Sequence, residues 1–424
     1  MTRRELALLV PLLALYLAAW AFFPDRPDDE ASYVALAERL TEGTYVTGDD
    51  DALLDAAPES PDLWFGPGLP ALLAPLAAVD APLWAMRLTG PLLLFGAVLL
   101  FFVLARDTWG PGVGVVAAYA FGLYLPFLGL LSNLHSEVLA VFFVCAGMLC
   151  LARYVRSGRS AWLVPAGGAF AGLALTRVAY GWVLTVALAI LGVAWLVRRA
   201  PQAGRAAAVL ALALALCVPW LAYTYAKTDR LFVWGNSGSL SLYWMASPYE
   251  RDVGDWHQAH LVFSDPALEP HRAFFESLRG LTLAEQNAEI EREALRNIAD
   301  HPAKYAENVL ANAARMLFNT PYSRTAWQAN DLFYAVPNVL LVAAAVLAVA
   351  FLVPRRGSLP SESLPFAVLA VAAFGLHLLV ASYPRMLAPI VPLVVWFATL
   401  ALVEAGLLRR DARRGTRAPT GSSS

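Results

Sequence analysis

The sequence predicts an all-α polytopic membrane protein with about ten transmembrane helices. Of its 424 residues, 59% are apolar and 15% are charged, whereas a soluble domain is roughly 45–50% apolar and about 25% charged. The composition therefore excludes a disordered chain and argues against a soluble globular one. A helix needs about 20 apolar residues to cross the hydrocarbon core of a bilayer. Ten stretches free of Asp, Glu, Lys and Arg come close to that length: 6–23, 88–105, 108–136, 138–152, 160–176, 178–197, 206–226, 332–354, 363–384 and 386–403.

Arginine placement predicts the orientation of these helices. Sixteen of the 29 arginines (31 basic residues less Lys227 and Lys304) fall near the N-terminus, in alternate short loops and after residue 408. Because basic residues concentrate in cytoplasmic loops, these segments are expected to be cytoplasmic. Both termini are then cytoplasmic, in agreement with an even number of spans. We therefore expect a multi-pass protein of the cell membrane.

This topology divides the chain into four parts. They are an N-terminal transmembrane module with an acidic first external loop at 24–66 (1–226), an extracytoplasmic loop and helical region (227–331), the C-terminal transmembrane helices (332–408) and a cytoplasmic tail predicted to be disordered (409–424). Residue composition and the helical spacing of apolar residues predict external helices over 31–40, 283–299 and 303–318, with a break at His301-Pro302.

Four charged residues stand apart from this distribution. Arg87, Arg177, Arg385 and Glu137 all lie at the predicted external ends of spans. An ionisable residue at a span edge is costly unless it is paired, and it is a candidate for a functional site. Their convergence on one leaflet predicts a site that holds an anion beside acid and base groups. The alternatives are that each arginine extends to lipid phosphates and that Glu137 simply pairs with Arg177.

The acidic run Asp28-Asp29-Glu30 precedes the predicted external helix. It fits an N-terminal capping cluster, because acids favour the first turn of a helix. It also fits catalysis, since a carboxylate that faces a second carboxylate can act as a general base. Arginines can stabilise the negative charge that grows on a phosphate leaving group. An external site has no direct access to cytoplasmic nucleotide-activated substrates, so a lipid phosphate in the bilayer is the expected activated donor.

Several short motifs occur in an order that resembles a known family. They are Asp28-Asp29-Glu30-Ala-Ser-Tyr33, the Gly/Pro-rich Phe65-Gly66-Pro67-Gly68, Ala85-Met-Arg87-Leu, Ser136-Glu137, Gly172-Leu-Ala-Leu-Thr176-Arg177 and Tyr383-Pro-Arg385. Together they resemble the GT-C-fold glycosyltransferases, especially the protein O-mannosyltransferase and lipid A aminoarabinose transferase group. Met386 after Arg385 and Tyr223-Thr-Tyr225 after Pro219-Trp220 depart from the family pattern. These departures leave the donor sugar and the acceptor open.

The resemblance implies a GT-C-like fold and inverting transfer of a sugar from a polyprenyl-phosphate donor to an external hydroxyl of a lipid, protein or polysaccharide. The implied roles are Asp29 as general base with Asp28 as its neighbouring rival, Glu30 as support or metal ligand, Glu137 as a second acid, Arg87, Arg177 and Arg385 as donor-phosphate ligands, and Tyr33 orienting the sugar or the base. His135, next to Ser136-Glu137, is either a residue lining the site or a structural one.

The sequence contains two candidate sets of metal ligands. Oxygen ligands from Asp28, Asp29, Glu30 and Glu137 would suit Mg²⁺, Mn²⁺ or Ca²⁺. The pair His257-x-x-His260 has a spacing compatible with Zn²⁺, although two histidines in a loop are more often ordinary surface residues. A formal net charge of −2 gives no basic field for nucleic acid. Membrane lipids are expected partners.

Three rival functions are compatible with the same pattern. A lipid or solute transporter or flippase would also bind anions. Transporters often carry an internal repeat and broken helices at the bilayer midplane, whereas this sequence shows no repeat and its exceptional charges lie at one predicted leaflet. A non-catalytic GT-C-like subunit of an envelope assembly complex would keep the fold without needing Asp29 or Glu137. An oligosaccharide ligase or polymerase would use a larger lipid-linked donor.

Overall fold

The computed structural model describes residues 1–24, 29–45 and 63–409, and all regular secondary structure in these ranges is helical. Up to residue 228 the described α-helices are α1 (Arg3–Phe22), α2 (Glu30–Thr41), α3 (Gly68–Ala77), α4 (Leu83–Arg87), α5 (Thr89–Trp109), α6 (Pro111–Gly122), α7 (Ser136–Ser157), α8 (Leu163–Thr176), α9 (Ala179–Arg198), α10 (Pro201–Leu216) and α11 (Val218–Thr228). They are followed by α12 (Ser237–Met245), α13 (Glu269–Ser277), α14 (Leu283–Asp300), α15 (Pro302–Phe318), α16 (Leu332–Leu352), α17 (Ser363–Leu378) and α18 (Val391–Glu404).

The all-α membrane fold is confirmed, and each of the ten predicted spans overlaps a helix. In the described ranges, six helices are long and apolar enough to cross a membrane, or seven if α10 and α11, bent by 46°, form one span. The other three predicted spans correspond to shorter apolar helices at Pro111–Gly122, Ser160–Thr176 and Ser363–Leu378. The count of ten therefore stays a prediction.

The predicted span at 108–136 shows why some helices are short. The helix α6 ends at Gly122, and the chain continues as a 3₁₀-helix at Leu125–Leu130, where Pro126 has no backbone N–H to donate. The carbonyl of Gly122 accepts a hydrogen bond from the Tyr16 hydroxyl at 2.8 Å. A side chain thus satisfies a backbone group that a lipid environment would leave without a partner.

The helix α7 lies at the centre of the bundle, between α5 and α8. Most of its residues are buried, and they join a single apolar core that extends from α1 to α18. Because α7 begins with Ser136 and Glu137, the same packing that buries its apolar length also holds a carboxylate at its first turn. The end of the bundle at which α7 begins is called the site end below.

The helices α2 and α3 lie against the site end. A small apolar cluster that includes Tyr33, Leu73 and Leu134 joins them to the start of α7. Two glycines before and at the start of α3 allow a close approach to the last turn of α8. A Cβ atom added to Gly66 would lie 2.2 Å from the Leu175 carbonyl oxygen, and one added to Gly68 would lie 2.3 Å from Thr176 Oγ1.

The helices α12 to α15 form a separate apolar cluster that contains Trp244, Phe275 and Ile290. The sequence correctly predicts α2, α14 and α15, including the break at Pro302. Thr282 and Glu285 cap α14 reciprocally, because each side chain accepts a hydrogen bond from the other residue's backbone N–H.

Candidate active site

The buried carboxylate of Glu137 is paired with Arg177 at the site end. Glu137 is 1% exposed, and Arg177 follows directly after the last residue of α8. Arg177 Nη1 donates to Glu137 Oε1 at 2.8 Å and to Ser136 Oγ at 3.3 Å. A carboxylate buried this deeply is stable only with charged or hydrogen-bonding partners. The pairing considered from the sequence is therefore present.

The guanidinium of Arg385 joins this pair to Asp29, at the start of α2. Arg385 lies in a 3₁₀-helix at Pro384–Ile390, immediately before α18. Its Nε is 3.4 Å from Glu137 Oε1, and its Nη2 donates to Asp29 Oδ2 at 3.1 Å. The side chain of Asp29 is 30% exposed, whereas that of Glu137 is 2% exposed. One cation therefore separates a buried carboxylate from an accessible one.

The carboxylate of Glu30 has a different set of partners. Arg87 donates to it from Nε at 2.9 Å and from Nη2 at 2.7 Å, an arrangement that matches two donors to two carboxylate oxygens. The backbone N–H of Leu134 also donates to Glu30 Oε2, at 2.9 Å. Glu30 thus fastens the start of α2 to α4 and to the loop before α7.

Tyr33 connects α2 to the Glu137 pair. Its hydroxyl donates to Ser136 Oγ at 2.9 Å, and Ser136 in turn accepts from Arg177. Burial raises the pKa of the Tyr33 hydroxyl well above its usual range, and the negative charges of Asp29 and Glu137 add to this effect. Tyr33 therefore stays protonated at physiological pH and can serve as a hydrogen-bond donor. Its predicted contact with the sugar stays a prediction.

His135 directly precedes α7 and is 9% exposed, so its role in lining a site stays a prediction. Asp28 and the tail at 410–424 lie outside the described residues. The structure brings Asp29, Glu137, Arg177 and Arg385 into one cluster, which we call the four-residue cluster. It links Arg87 instead to Glu30, at the edge of that cluster.

Among the described residues, the carboxylates of this cluster are paired with arginines, and the expected divalent metal ion stays a prediction because Asp28 lies outside those residues. Among the residues that the structure describes, no three Asp, Glu, His or Cys side chains converge to form a metal site. The Arg385 guanidinium already lies between Asp29 and Glu137, and the oxygens of Glu30 accept from Arg87 and Leu134. His257 lies 3.5 Å from Asp255 rather than forming a zinc site with His260.

A large cavity lies between the bundle and the helix α14. Its volume is about 930 Å³, and it lies between the start of α9, the segment after α11, the face of α14 and the end of α17. Val178, the residue after Arg177, forms part of its wall. The rim carries exposed apolar residues, with Trp182 at 48% and Leu379 at 45%, together with the cations Lys227 and Arg230. Such a cavity suits a ligand with a long apolar part.

Sequence reasoning did not identify three buried polar residues that support the cluster. Ser136 was noted only as part of a motif, although it links Tyr33 to Arg177. Asn312 and Arg315 of α15 are both fully buried and contact the segment that carries Arg385. Their spacing of three residues on one face of a predicted helix was the only signal in the sequence.

A helical bundle with a short helix, α2, after its first long helix and with a charge cluster at one end matches the GT-C fold of solved membrane glycosyltransferases. Two solved structures of the oligosaccharyltransferase AglB from Archaeoglobus fulgidus have this fold and match the chain. One is a complex with an inhibitory peptide and a dolichol-phosphate, with a TM-score of 0.54, 14% identity, and coverage of 94% of this chain and 50% of that one. The other carries a tethered acceptor peptide with the NVT sequon, with a TM-score of 0.55, 14% identity, and coverage of 94% and 49%.

The likeness to these structures is one of fold. The chain spans about half the length of the oligosaccharyltransferase that it matches. No family model matches the chain, and neither does any curated sequence. The GT-C fold expected from the sequence is therefore confirmed.

Proposed function

We propose that the protein is a membrane glycosyltransferase that moves a sugar from a polyprenyl-phosphate donor to an acceptor hydroxyl at the extracytoplasmic face. The observation that carries this proposal is the four-residue cluster, in which Arg385 contacts both Asp29 and Glu137 while Arg177 contacts Glu137. Two acids and two cations at one end of a GT-C bundle supply the groups that glycosyl transfer from a phosphate requires. Both termini of the protein are proposed to lie in the cytoplasm.

Accessibility assigns the two carboxylates different roles. Asp29 is the general base, because its side chain is 30% exposed and can reach an incoming hydroxyl. Glu137 is 2% exposed and is held by two arginines, so it orients those arginines rather than receiving a proton. As the acceptor oxygen bonds to the anomeric carbon, Asp29 takes the hydroxyl proton.

The leaving group departs on the opposite side of the anomeric carbon. The bond between that carbon and the phosphate oxygen breaks, its electron pair stays with the polyprenyl phosphate, and the sugar inverts its configuration. Arg177 and Arg385 stabilise the charge that develops on the phosphate. Arg87 contributes indirectly, since it holds Glu30 at the start of α2 and so fixes the position of Asp29.

The cavity whose wall includes Val178 supports a lipid-linked donor. Its wall includes Val178, next to Arg177, and its rim is apolar and partly exposed at the bundle surface. An isoprenoid chain can occupy such a surface while its phosphate reaches the arginines at the cluster. The dolichol-phosphate bound to the AglB structure is a lipid phosphate on the same fold, which also favours this class of donor. The acceptor of this protein is not inferred from the peptide acceptor of AglB.

Transfer of labelled sugar in proteoliposomes tests the proposal. Purified protein is supplied with polyprenyl-phosphate monosaccharides that carry a radiolabel in the sugar, and with hydroxyl acceptors of lipid, peptide and polysaccharide type. We expect label to move to one acceptor class with inversion at the anomeric carbon. Transport of the donor between leaflets without transfer would instead identify a flippase. Transfer only from a lipid-linked oligosaccharide would identify a ligase.

A further inference from the structure

The end of α17 is held by side chains from another helix, α15. The last carbonyl groups of a helix have no partner within that helix. The two N–H groups of Asn312 Nδ2 are shared among the carbonyl oxygens of His377 at 3.1 Å, Leu378 at 3.2 Å and Val380 at 2.7 Å. The hydroxyl of Tyr305 donates to the carbonyl of Leu379 at 2.9 Å. Side chains of α15 thus bind the carbonyl groups of four successive residues, 377–380, at the end of α17 and just after it.

The same contacts continue into the segment before Arg385. Asn312 Oδ1 accepts a hydrogen bond from the backbone N–H of Ser382 at 3.0 Å and another from Arg315 Nη2 at 2.9 Å. Arg315 Nε donates to the Ser382 carbonyl at 3.2 Å. Ser382 is therefore held at both its N–H and its carbonyl, three residues before Arg385.

Arg315 uses all five of its N–H donors. Besides Ser382 and Asn312, it donates to the carbonyls of Val253 at 3.1 Å, Gly254 at 2.8 Å and Pro321 at 3.0 Å. It is fully buried, and none of these five acceptors is a carboxylate. Burial of a guanidinium is costly, and five hydrogen bonds to fixed groups specify one geometry for the loops that supply them.

We propose that Asn312 and Arg315 are positioning residues that hold Arg385 in contact with Asp29 and Glu137. Pro384 lies between Ser382 and Arg385 and restricts the backbone, so a displacement of Ser382 is passed on to the arginine. This inference rests on the proposed function for its catalytic consequence. The clamp itself, formed by Asn312 and Arg315 on residues 377–382, can be tested without activity.

Hydrogen–deuterium exchange in wild type and variants tests the clamp directly. Asn312→Ala and Arg315→Lys should speed amide exchange in residues 379–386, with the clearest change at the Ser382 amide. The matched control is Asn308→Ala on the same face of α15, which is 1% exposed and donates to the carbonyls of Met245 and Ser247. That variant should leave exchange in 379–386 unchanged. Unchanged exchange in both clamp variants would overturn the proposal.

A double-mutant cycle on transfer rate tests the catalytic consequence. Arg315→Lys should lower kcat about ten- to hundredfold, as a misplaced catalytic group does, with little change in the donor KM. In an Arg385→Lys background the same change should lower kcat less than about threefold, since the arginine it positions is already altered. Additive losses, or an equal loss in Asn308→Ala, would mean that Arg315 is merely structural. If wild type transfers no sugar, the proposed function fails, and the exchange experiment alone decides the clamp.

Discussion

Arg385 donates a hydrogen bond to the carboxylate of Asp29, a residue 356 positions earlier in the chain, at 3.1 Å. The contact joins the start of α2 to the segment before α18, across the site end. Because the same guanidinium lies 3.4 Å from Glu137, removal of either carboxylate changes the charge balance at the other.

Substitution of the base should stop transfer without unfolding the protein. Asp29→Asn keeps the size and part of the hydrogen bonding of the side chain but cannot accept the acceptor proton. General base catalysis contributes about 10²–10⁴-fold, so we expect a loss of that order in kcat. Size-exclusion profiles and thermal unfolding should match wild type, because Asp29 is the most exposed acid of the cluster. Normal turnover in this variant would remove Asp29 as the base.

Loss of Arg177 should weaken donor binding. Hydrogen bonds to charged groups are worth about 1.5–3 kcal/mol, which corresponds to roughly a ten- to hundredfold weaker affinity for the lipid phosphate in Arg177→Ala. Arg177→Lys keeps the charge and should recover part of that affinity. Direct binding of a fluorescent polyprenyl phosphate measures both variants. An affinity equal to wild type in Arg177→Ala would exclude the phosphate role.

The glycine before α3 provides a test of how the fold positions the cluster. Gly66→Ala would drive a methyl group to 2.2 Å from the Leu175 carbonyl, two residues before Arg177. We expect a lower melting temperature and reduced transfer. The control is Gly168→Ala in α8, where an added methyl has open space within 4 Å and alanine is the better helix former. Equal melting temperatures and equal transfer rates in the two variants would contradict the close packing of Gly66 against the Leu175 carbonyl.

Chelation should leave transfer intact. Arg385 already provides the positive charge between Asp29 and Glu137 that a divalent ion would otherwise supply. Activity measured after EDTA treatment should therefore equal that measured with added Mg²⁺, Mn²⁺ or Ca²⁺. A strict requirement for one of these ions would mean that the carboxylates rearrange around it.

The region formed by α12 to α15 should lose stability in acid. Burial alone would raise the pKa of Asp252, but hydrogen bonds from His271 and Ser247 outweigh it and hold the pKa below the ordinary value of 3.8. A lowered pKa in the folded state stabilises the protein above the unfolded-state pKa, and this contribution disappears as the pH falls through the folded-state value. Asp252→Asn should lower the melting temperature at pH 7, and the difference from wild type should narrow below about pH 4. A difference in melting temperature that stays constant between pH 7 and pH 3 would contradict the proposed ionisation of Asp252.

Much of the fold follows from the sequence because a membrane imposes long apolar helices and a bias in basic residues. The same bias identified Arg177 and Arg385 as exceptions. Glu137 stood out as an acid at the edge of a predicted span, and in the structure it is the partner of both arginines. The pairing of Arg87 with Glu30 could not be predicted, since several acids and arginines shared one predicted leaflet and spacing does not choose among them.

The role of α15 also escaped prediction. Its sequence reads as an ordinary amphipathic helix, and the position of Arg315 on its buried face depends on carbonyl groups from loops that are distant in the chain. Tertiary contacts, rather than helical spacing, decide which polar face of such a helix is inside.

A structure of the protein with a polyprenyl-phosphate sugar bound in a lipid nanodisc tests the central claim most directly. We expect phosphate oxygens within about 3 Å of the Arg177 or Arg385 guanidinium nitrogens, at ordinary charge-assisted hydrogen-bond range. The anomeric carbon should face Asp29, with the isoprenoid chain in the cavity beside Val178. A phosphate bound away from both arginines, with Asp29 directed to bulk solvent, would contradict the account.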